Sequence, residues 1–150
     1  MIYADTNFFT NIVVDMPHRA EAETLLHGCR EALPITWLHR LEMVNALQQC
    51  VFLSRQGTQQ LRITPELALT AEALFFDEVA VGVWYRHTTV QVESIEEIFG
   101  DLCHRHTAKE GFRTYDILHV SSALVLGCDT FWSFDKKAKR LAELEGLAVN

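Results

Sequence analysis

Four acidic residues of this chain stand where structural elements are predicted to begin, and they are far apart in the sequence. They are Asp5, Glu42, Asp116 and Asp135. Carboxylates that are brought together repel one another and raise each other's pKa values unless a cation lies among them. Hard divalent cations, Mg²⁺ or Mn²⁺, are the ions that suit such an all-oxygen site. If the fold gathers these side chains, the chemistry that they indicate is metal-assisted cleavage of phosphodiester bonds.

Three of the acids also have a purely structural interpretation. Aspartate is a good helix N-cap, and the helix dipole favours it in the first turn of a helix, which could explain Asp5, Asp116 and Asp135. At Asp5 we prefer a functional role, because Asn7 could cap the helix that follows. The cost of burying a lone charge after an apolar strand also favours a functional role there.

Glu42 can be placed by helical geometry. On a wheel of about 100° per residue, with Leu41 at zero, Glu42 lies about 100° away, beside Asn45 and Gln49. This position is the margin of an apolar arc around Leu41 that contains Trp37, Val44, Val51 and Phe52. Glu42 could therefore be a site residue or an ordinary half-exposed helical glutamate.

Four other polar residues are candidates for supporting roles. His119 lies one helical turn after Asp116, so it could orient that acid or contact substrate, or it could be a satisfied core histidine. Ser133 could donate a hydrogen bond to a carboxylate or to a metal-bound water. Arg113 and Lys136 flank the acids and are candidates for binding the phosphate backbone of a substrate, or they are solvated surface charges.

Short apolar segments alternate with longer helical patterns along the chain. Strands are predicted at 1–5, 34–36, 81–87, 130–133 and 147–149, and helices after Asn7, at about 18–30, 37–55, from Thr64-Pro65, at 92–106, 114–127 and 135–144. This alternation predicts βαβ units and a parallel sheet. Sites in such sheets form beyond the carboxyl ends of the strands, which all four acids could reach.

Length and composition narrow the class of protein. The 150 residues suit one domain, and no apolar run approaches the roughly 18 residues of a membrane span, so we expect no membrane association and a cytoplasmic location. The formal net charge of −7 argues against broad electrostatic binding of nucleic acid but not against a narrowly bound substrate.

The four cysteines lack paired spacing and are expected to be reduced. Cys103, His104 and His106 resemble only half of a zinc site.

Four segments together resemble a known family. They are Ile2–Asn7 with its Asp-Thr-Asn, Leu38–Leu47 with its glutamate, Arg113–Leu124 with Tyr-Asp, and Ser133–Leu144 with Ser-Phe-Asp. In order and spacing they resemble the PIN domain and, within it, the VapC-type toxins of prokaryotic toxin–antitoxin pairs. The resemblance implies a single PIN-like (Rossmann-like) α/β domain over residues 1–150. Its sheet would be short and parallel, with four to five strands flanked by helices.

The same resemblance implies a function and a site. Asp5, Glu42, Asp116 and Asp135 match the acidic quartet that holds Mg²⁺ (or Mn²⁺), while Asn7 and Ser133 match small polar positions beside it. The implied protein is a metal-dependent endoribonuclease that acts on RNA and is inhibited by a cognate antitoxin protein. A homodimer is also implied, with an apolar patch to which we expect Trp37, Phe52, Leu74 and Phe75 to contribute.

Two alternative functions are compatible with the same acidic quartet or the same fold. One is a PIN nuclease without an antitoxin that processes RNA or cleaves DNA structures. The other is a PIN module that binds partners and does not cut, against which the intact quartet argues. A phosphatase with an aspartyl nucleophile would need a second aspartate at the position of Asn7 and is set aside.

Overall fold

Five short strands lie at the centre of the part of the molecule that the structure describes, and every pairing among them is parallel. The computed structural model describes residues 1–57 and 62–150. The strands are β1 (Ile2–Ala4), β2 (Leu33–Ile35), β3 (Tyr85–His87), β4 (Thr130–Trp132) and β5 (Ala148–Val149). A three-stranded sheet has the order β1-β4-β5, and β2 pairs with β3. The α/β class with a parallel sheet of short strands is as predicted.

The two sheets are joined by a side chain instead of a strand pairing. The last carbonyl of β1, on Ala4, accepts a hydrogen bond of 2.8 Å from Nε2 of His39. On the far side of the same imidazole, the backbone N–H of Thr36 donates to Nδ1 at 3.0 Å. A buried histidine therefore takes the place of a strand-to-strand bond between β1 and the segment after β2.

Helices connect and flank the strands. They are α1 (Thr6–Val13), α2 (Arg19–His27), α3 (Trp37–Arg55), α4 (Pro65–Val81), α5 (Val92–Leu102), α6 (Ala108–Glu110), α7 (Thr114–Val125) and α8 (Lys136–Leu144), with a π-helical turn over Cys103–Thr107 between α5 and α6. Among the described residues, no helix is long and apolar enough to cross a membrane.

Three helices have ends that differ from the sequence-based prediction. Helix α4 runs on to Val81, and Gly82 ends it in the left-handed conformation at φ 78°, so the strand predicted at 81–87 begins only at Tyr85. The helix predicted to reach His106 stops at Leu102 and continues as the π-helical turn. Helix α2 is shorter than predicted at both ends, ending at His27.

The apolar core lies in two clusters on either side of β1 and β4. One contains Phe8, Phe9, Met43, Leu47, Phe75 and Tyr85, and the other contains Tyr3, Val120, Phe131, Ala138 and Leu141. On α3 the buried face carries Leu38, Met43 and Leu47. Part of the apolar arc around Leu41 instead faces solvent, with Leu41 65% and Phe52 55% exposed, whereas Val51 of the same arc is buried.

The residues expected at a dimer patch are therefore only partly available. Leu74 is 60% exposed, like Phe52, but Phe75 is buried in the core and Trp37 is partly buried. Phe75 as a contributor to such a patch was a wrong expectation, because its side chain packs against Phe9 and Tyr85.

Candidate metal and active site

The four acids come together around one cavity at the carboxyl ends of β1 and β4. Asp5 directly follows β1, and Asp135 lies three residues beyond β4. Glu42 reaches the cavity from the second turn of α3, and Asp116 from the first turn of α7. The cavity has a volume of about 420 Å³, and all four carboxyl-bearing residues line it. The parallel topology of the sheet therefore brings the four acids together, as expected from the sequence.

Asp5 is the most deeply buried of the four carboxylates. One oxygen, Oδ1, accepts a hydrogen bond of 2.9 Å from the backbone N–H of Phe8, so Asp5 is the N-cap of α1. The other oxygen accepts 2.6 Å from the hydroxyl of Ser133. Burial raises the pKa of Asp5 to about 6, against the lowering effects of the nearby His119 and of these two hydrogen bonds.

The expectation that Asn7 caps this helix was wrong. Asn7 lies inside α1, and its side-chain oxygen accepts a hydrogen bond of 3.1 Å from the backbone N–H of Phe134. Asn7 therefore fastens the start of α1 to the segment after β4. Asp5 combines the cap role with its place at the cavity, so the structural and functional interpretations of Asp5 are compatible.

Ser133 connects two of the acids. Its hydroxyl donates to Asp5 and accepts 2.9 Å from the backbone N–H of Asp135. Asp135 in turn caps α8, with Oδ1 accepting 2.7 Å from the N–H of Lys137. Burial acts to raise the pKa of Asp135, but hydrogen bonds from Lys137 and Arg113 outweigh it, and the pKa is lowered.

Glu42 is held by a histidine from another helix. Nε2 of His119 lies 2.5 Å from Oε2 of Glu42, and Nδ1 of the same ring lies 2.9 Å from the hydroxyl of Tyr3. Of the roles considered for His119, orientation of Asp116 is not observed, because the buried imidazole bonds to Glu42 instead. Burial acts to raise the pKa of Glu42, but the bond from His119 and its charge outweigh this, and the pKa is lowered.

Asp116 and Asp135 share the guanidinium group of Arg113. Nε and Nη2 of Arg113 lie 3.1 and 3.0 Å from the two oxygens of Asp116, and Nη2 lies 2.5 Å from Oδ2 of Asp135. These hydrogen bonds raise the pKa of Arg113 above its usual range, and the bond to Asp116 has the largest effect. Lys136, the other basic candidate, is exposed at the start of α8.

The donor set suits a hard divalent cation in chemical type, and its four members line the same cavity. Four carboxylates line the cavity, and the buried Asp5 is bonded directly only to neutral groups, so its raised pKa would fall beside a cation. Within residues 1–57 and 62–150, however, no three His, Cys, Asp or Glu side chains are already grouped as a metal cluster. Arg113 bonds to Asp116 and Asp135, and His119 bonds to Glu42.

Sequence reasoning missed three residues that line or support this cavity. The side chain of Tyr115, in the first turn of α7, lines it and is 51% exposed. Thr6 lines it too, with its hydroxyl 3.3 Å from Nε2 of His119. Tyr3 supports it from the core through His119. The position of Tyr115 directly before Asp116 was a usable signal, whereas nothing in the sequence connects Tyr3 with residue 119.

The alternative zinc site does not assemble in the described part of the chain. His106 instead bonds through Nε2 to Glu145 at 2.6 Å, and the intervening Arg105 forms two bonds of 2.7 Å with the same carboxylate. Cys103 is partly buried, and all four cysteines are free thiols, as expected.

Comparisons with known proteins agree on one family and one fold. The family model described as PIN domain matches residues 2–144. No curated protein matches the chain significantly.

Several solved structures have a similar fold. VapC20 of Mycobacterium tuberculosis, a toxin that cleaves the sarcin–ricin loop, is 16% identical with a TM-score of 0.64, covering 93% of this chain and 94% of its own. VapBC2 of Rickettsia felis, bound to a DNA fragment from its promoter, is 15% identical with a TM-score of 0.64, covering 100% and 98%. FitAcB of Neisseria gonorrhoeae is 14% identical with a TM-score of 0.62, covering 99% and 96%. At such identities the likeness shows the fold alone.

Proposed function

The chain belongs to the PIN-domain family, and from this membership and its acidic cavity we propose that it is an endoribonuclease dependent on Mg²⁺ or Mn²⁺. The observation that carries the proposal is the meeting of Asp5, Glu42, Asp116 and Asp135 around one cavity, although they come from four separate parts of the chain. The domain is proposed to span residues 1–150.

The chemistry follows from the donor set. The four carboxylates would hold the divalent cation, which supplies a Lewis acid for the scissile phosphate and a coordinated water of lowered pKa. The residues of the chain orient this arrangement: Ser133 fixes Asp5, and His119 fixes Glu42. Arg113 and Lys136 are the proposed contacts to the phosphate backbone, because both are exposed beside the acids.

We further propose that the chain is the toxin of a toxin–antitoxin pair in the cytoplasm. VapC20 is a toxin that cleaves the sarcin–ricin loop, and this likeness supports RNA as the substrate. The likeness to VapBC2 supports a cognate antitoxin as the partner. The antitoxin would cover the acidic cavity. A homodimer is proposed as well, supported by the apolar side chains of Leu41 and Phe52 that α3 exposes to solvent.

The test is cleavage of a mixed RNA pool by the purified protein. Cutting is expected with Mg²⁺ or Mn²⁺, and not with EDTA, and it should leave 5′-phosphate and 3′-hydroxyl ends. Asp5→Asn and Asp116→Asn should both abolish it while remaining folded. Asp77→Asn, which changes an exposed aspartate on α4, is the matched control and should cut like the wild type.

Other outcomes would assign a different function. Cutting of single-stranded or flapped DNA in place of RNA would favour a nuclease without an antitoxin. Tight RNA binding without cutting under any metal condition would overturn the nuclease proposal in favour of a binding module.

A further inference from the structure

The guanidinium group of Arg113 occupies the position between two proposed metal ligands. Nε and Nη2 of Arg113 bond to both oxygens of Asp116, and its backbone N–H adds a third bond of 3.0 Å to Oδ2. Nη2 also bonds to Oδ2 of Asp135, whose other oxygen is already used in capping α8. Arg113 thus binds the carboxylates of Asp116 and Asp135 in the way that a shared cation would.

The side chain of Arg113 is free to leave this position, whereas the acids are not free to follow. It is 64% exposed, against 7% for the side chain of Asp116. The backbone of Arg113 is fixed, since the residue is the N-cap of α7 and comes directly after the buried Phe112. Departure of the guanidinium would therefore break ion pairs but would expose little packed apolar surface.

The proposed function adds a competitor for the same carboxylates. A divalent cation and a guanidinium both favour Asp116 and Asp135, and their positive charges repel each other at such short separations. The following inference rests on the proposed nuclease function. We propose that the guanidinium group of Arg113 is the internal counter-cation of Asp116 and Asp135 when no metal ion is bound, and that Arg113 and the metal ion exclude each other from these two carboxylates. Once released, its planar donors remain at the rim of the cavity, where they suit bidentate binding of an RNA phosphate.

Calorimetric titration with Mn²⁺ alone tests the exclusion. Arg113→Gln should bind Mn²⁺ roughly twofold to fivefold more tightly than the wild type, the range that exposed charged pairs supply. Lys136→Gln removes an equal charge that is not bonded to the acids, so its affinity should change much less. Asp116→Asn should bind poorly. Equal or weaker Mn²⁺ binding by Arg113→Gln, compared with Lys136→Gln, would overturn the inference.

NMR can follow the guanidinium group of Arg113 directly in the wild-type protein, so this second test needs no substitution. During titration with Mg²⁺, the NMR signal of the Arg113 Nε–H should shift and exchange faster with water. The signal of Arg105 is the internal control, because that residue also bonds to two acids, Asp101 and Glu145, but away from the cavity. An Arg113 signal that stays as fixed as that of Arg105 while Mg²⁺ binds would also overturn the inference.

The same data separate failure of the inference from failure of the proposed function. If the wild type binds Mn²⁺ and cuts RNA but Arg113 neither competes nor moves, only the inference falls. If neither the wild type nor Arg113→Gln binds Mn²⁺, the metal site is absent, and the proposed function and the inference fall together.

Discussion

His119 and Glu42 meet across the candidate site, with Nε2 of the imidazole 2.5 Å from a carboxylate oxygen. The contact joins α7 to α3, and it is backed by the hydroxyl of Tyr3 on the other ring nitrogen. One ring nitrogen of His119 bonds to Glu42 and the other to the hydroxyl of Tyr3, so a core tyrosine helps to set the orientation of a site carboxylate. Such supporting hydrogen bonds are typical of metal sites in which ligand orientation matters.

The first prediction concerns this support. Tyr3→Phe removes only the hydroxyl, and we expect roughly a tenfold loss in Mg²⁺ affinity or in cleavage, the lower end of the range for such partners. His119→Ala should lose more, since Glu42 then lacks its partner. The measurement is the Mg²⁺ concentration dependence of cleavage. Tyr85→Phe, a buried tyrosine away from the cavity, is the control, and an equal effect there would contradict the prediction.

The second prediction concerns the cost of burying Asp5. Its pKa of about 6 lies above the ordinary 3.8, so the folded protein binds more protons between these pH values, and stability is lost as the pH rises through them. At pH 8 without metal, Asp5→Asn should be more stable than the wild type by about 2–3 kcal/mol. Urea unfolding in EDTA at pH 4 and pH 8 measures this difference.

The measurement at pH 4 and the variant Asp77→Asn are the controls for this comparison. The advantage of Asp5→Asn should be small at pH 4, where the wild-type carboxyl is protonated when folded, and Asp77→Asn should show none at either pH. A variant that is less stable than the wild type at pH 8 would show that the hydrogen bonds of Asp5 outweigh its desolvation.

The gathering of the four acids could be predicted because it depends on topology. Strands that alternate with helices place the residues after β1 and β4 at one edge, whatever the details of packing. The N-terminus of α4 was predictable for a local reason: Thr64 accepts a bond from the N–H of Leu67, and Pro65 suits the first helical position. Topology thus determines the first feature, and local chemistry determines the second.

The orientation of α3 could not be predicted because apolar residues surround most of the helix. Leu38, Met43 and Leu47 face the core, but Leu41 and Phe52 would have made an equally apolar face. Periodicity gives the phase of a helix only when one face is polar. The partners of the acids were hidden for another reason, since contacts such as His119 with Glu42 depend on how two helices pack.

The third prediction concerns the histidine that joins the two sheets. Burial is the main cause that lowers the pKa of His39 to about 3. A proton on Nδ1 would also point at the backbone N–H of Thr36, which donates a hydrogen bond to that atom. The unfolded chain binds this proton below about pH 6.5, so stability should fall as the pH decreases from 6.5 towards 3, by up to about 1.4 kcal/mol per pH unit.

The variant His39→Gln isolates this effect. It should be less stable than its parent at pH 7, because the bond to the carbonyl of Ala4 is lost or weakened, but it should depend less on pH between 6.5 and 4.5. Both proteins should carry Asp5→Asn, since Asp5 contributes the opposite slope in this range. Parallel stability curves for the two proteins would show that His39 does not titrate on unfolding.

The fourth prediction concerns the exposed face of α3. Leu41, Val44 and Phe52 recur at helical spacing on the solvent side, and we expect them to pack against a second copy of the chain. The double variant Leu41→Glu and Phe52→Glu should sediment as a folded monomer at concentrations where the wild type is a dimer. Leu144→Glu, on α8, should remain dimeric. A wild type that is monomeric throughout the micromolar range would contradict the proposed homodimer.

The fifth prediction concerns Tyr115, whose half-exposed ring lines the cavity beside Asp116. If the proposed nuclease function holds, an exposed aromatic ring at this position is suited to stacking on an unpaired base, which contributes about 1–3 kcal/mol per base. Tyr115→Ala should therefore raise the KM for RNA by roughly fivefold to a hundredfold with little change in kcat, because stacking acts on binding before and during the reaction alike. Tyr115→Phe keeps the ring and should behave like the wild type. A loss of activity in Tyr115→Phe equal to that in Tyr115→Ala would assign the role to the hydroxyl, and stacking would be excluded.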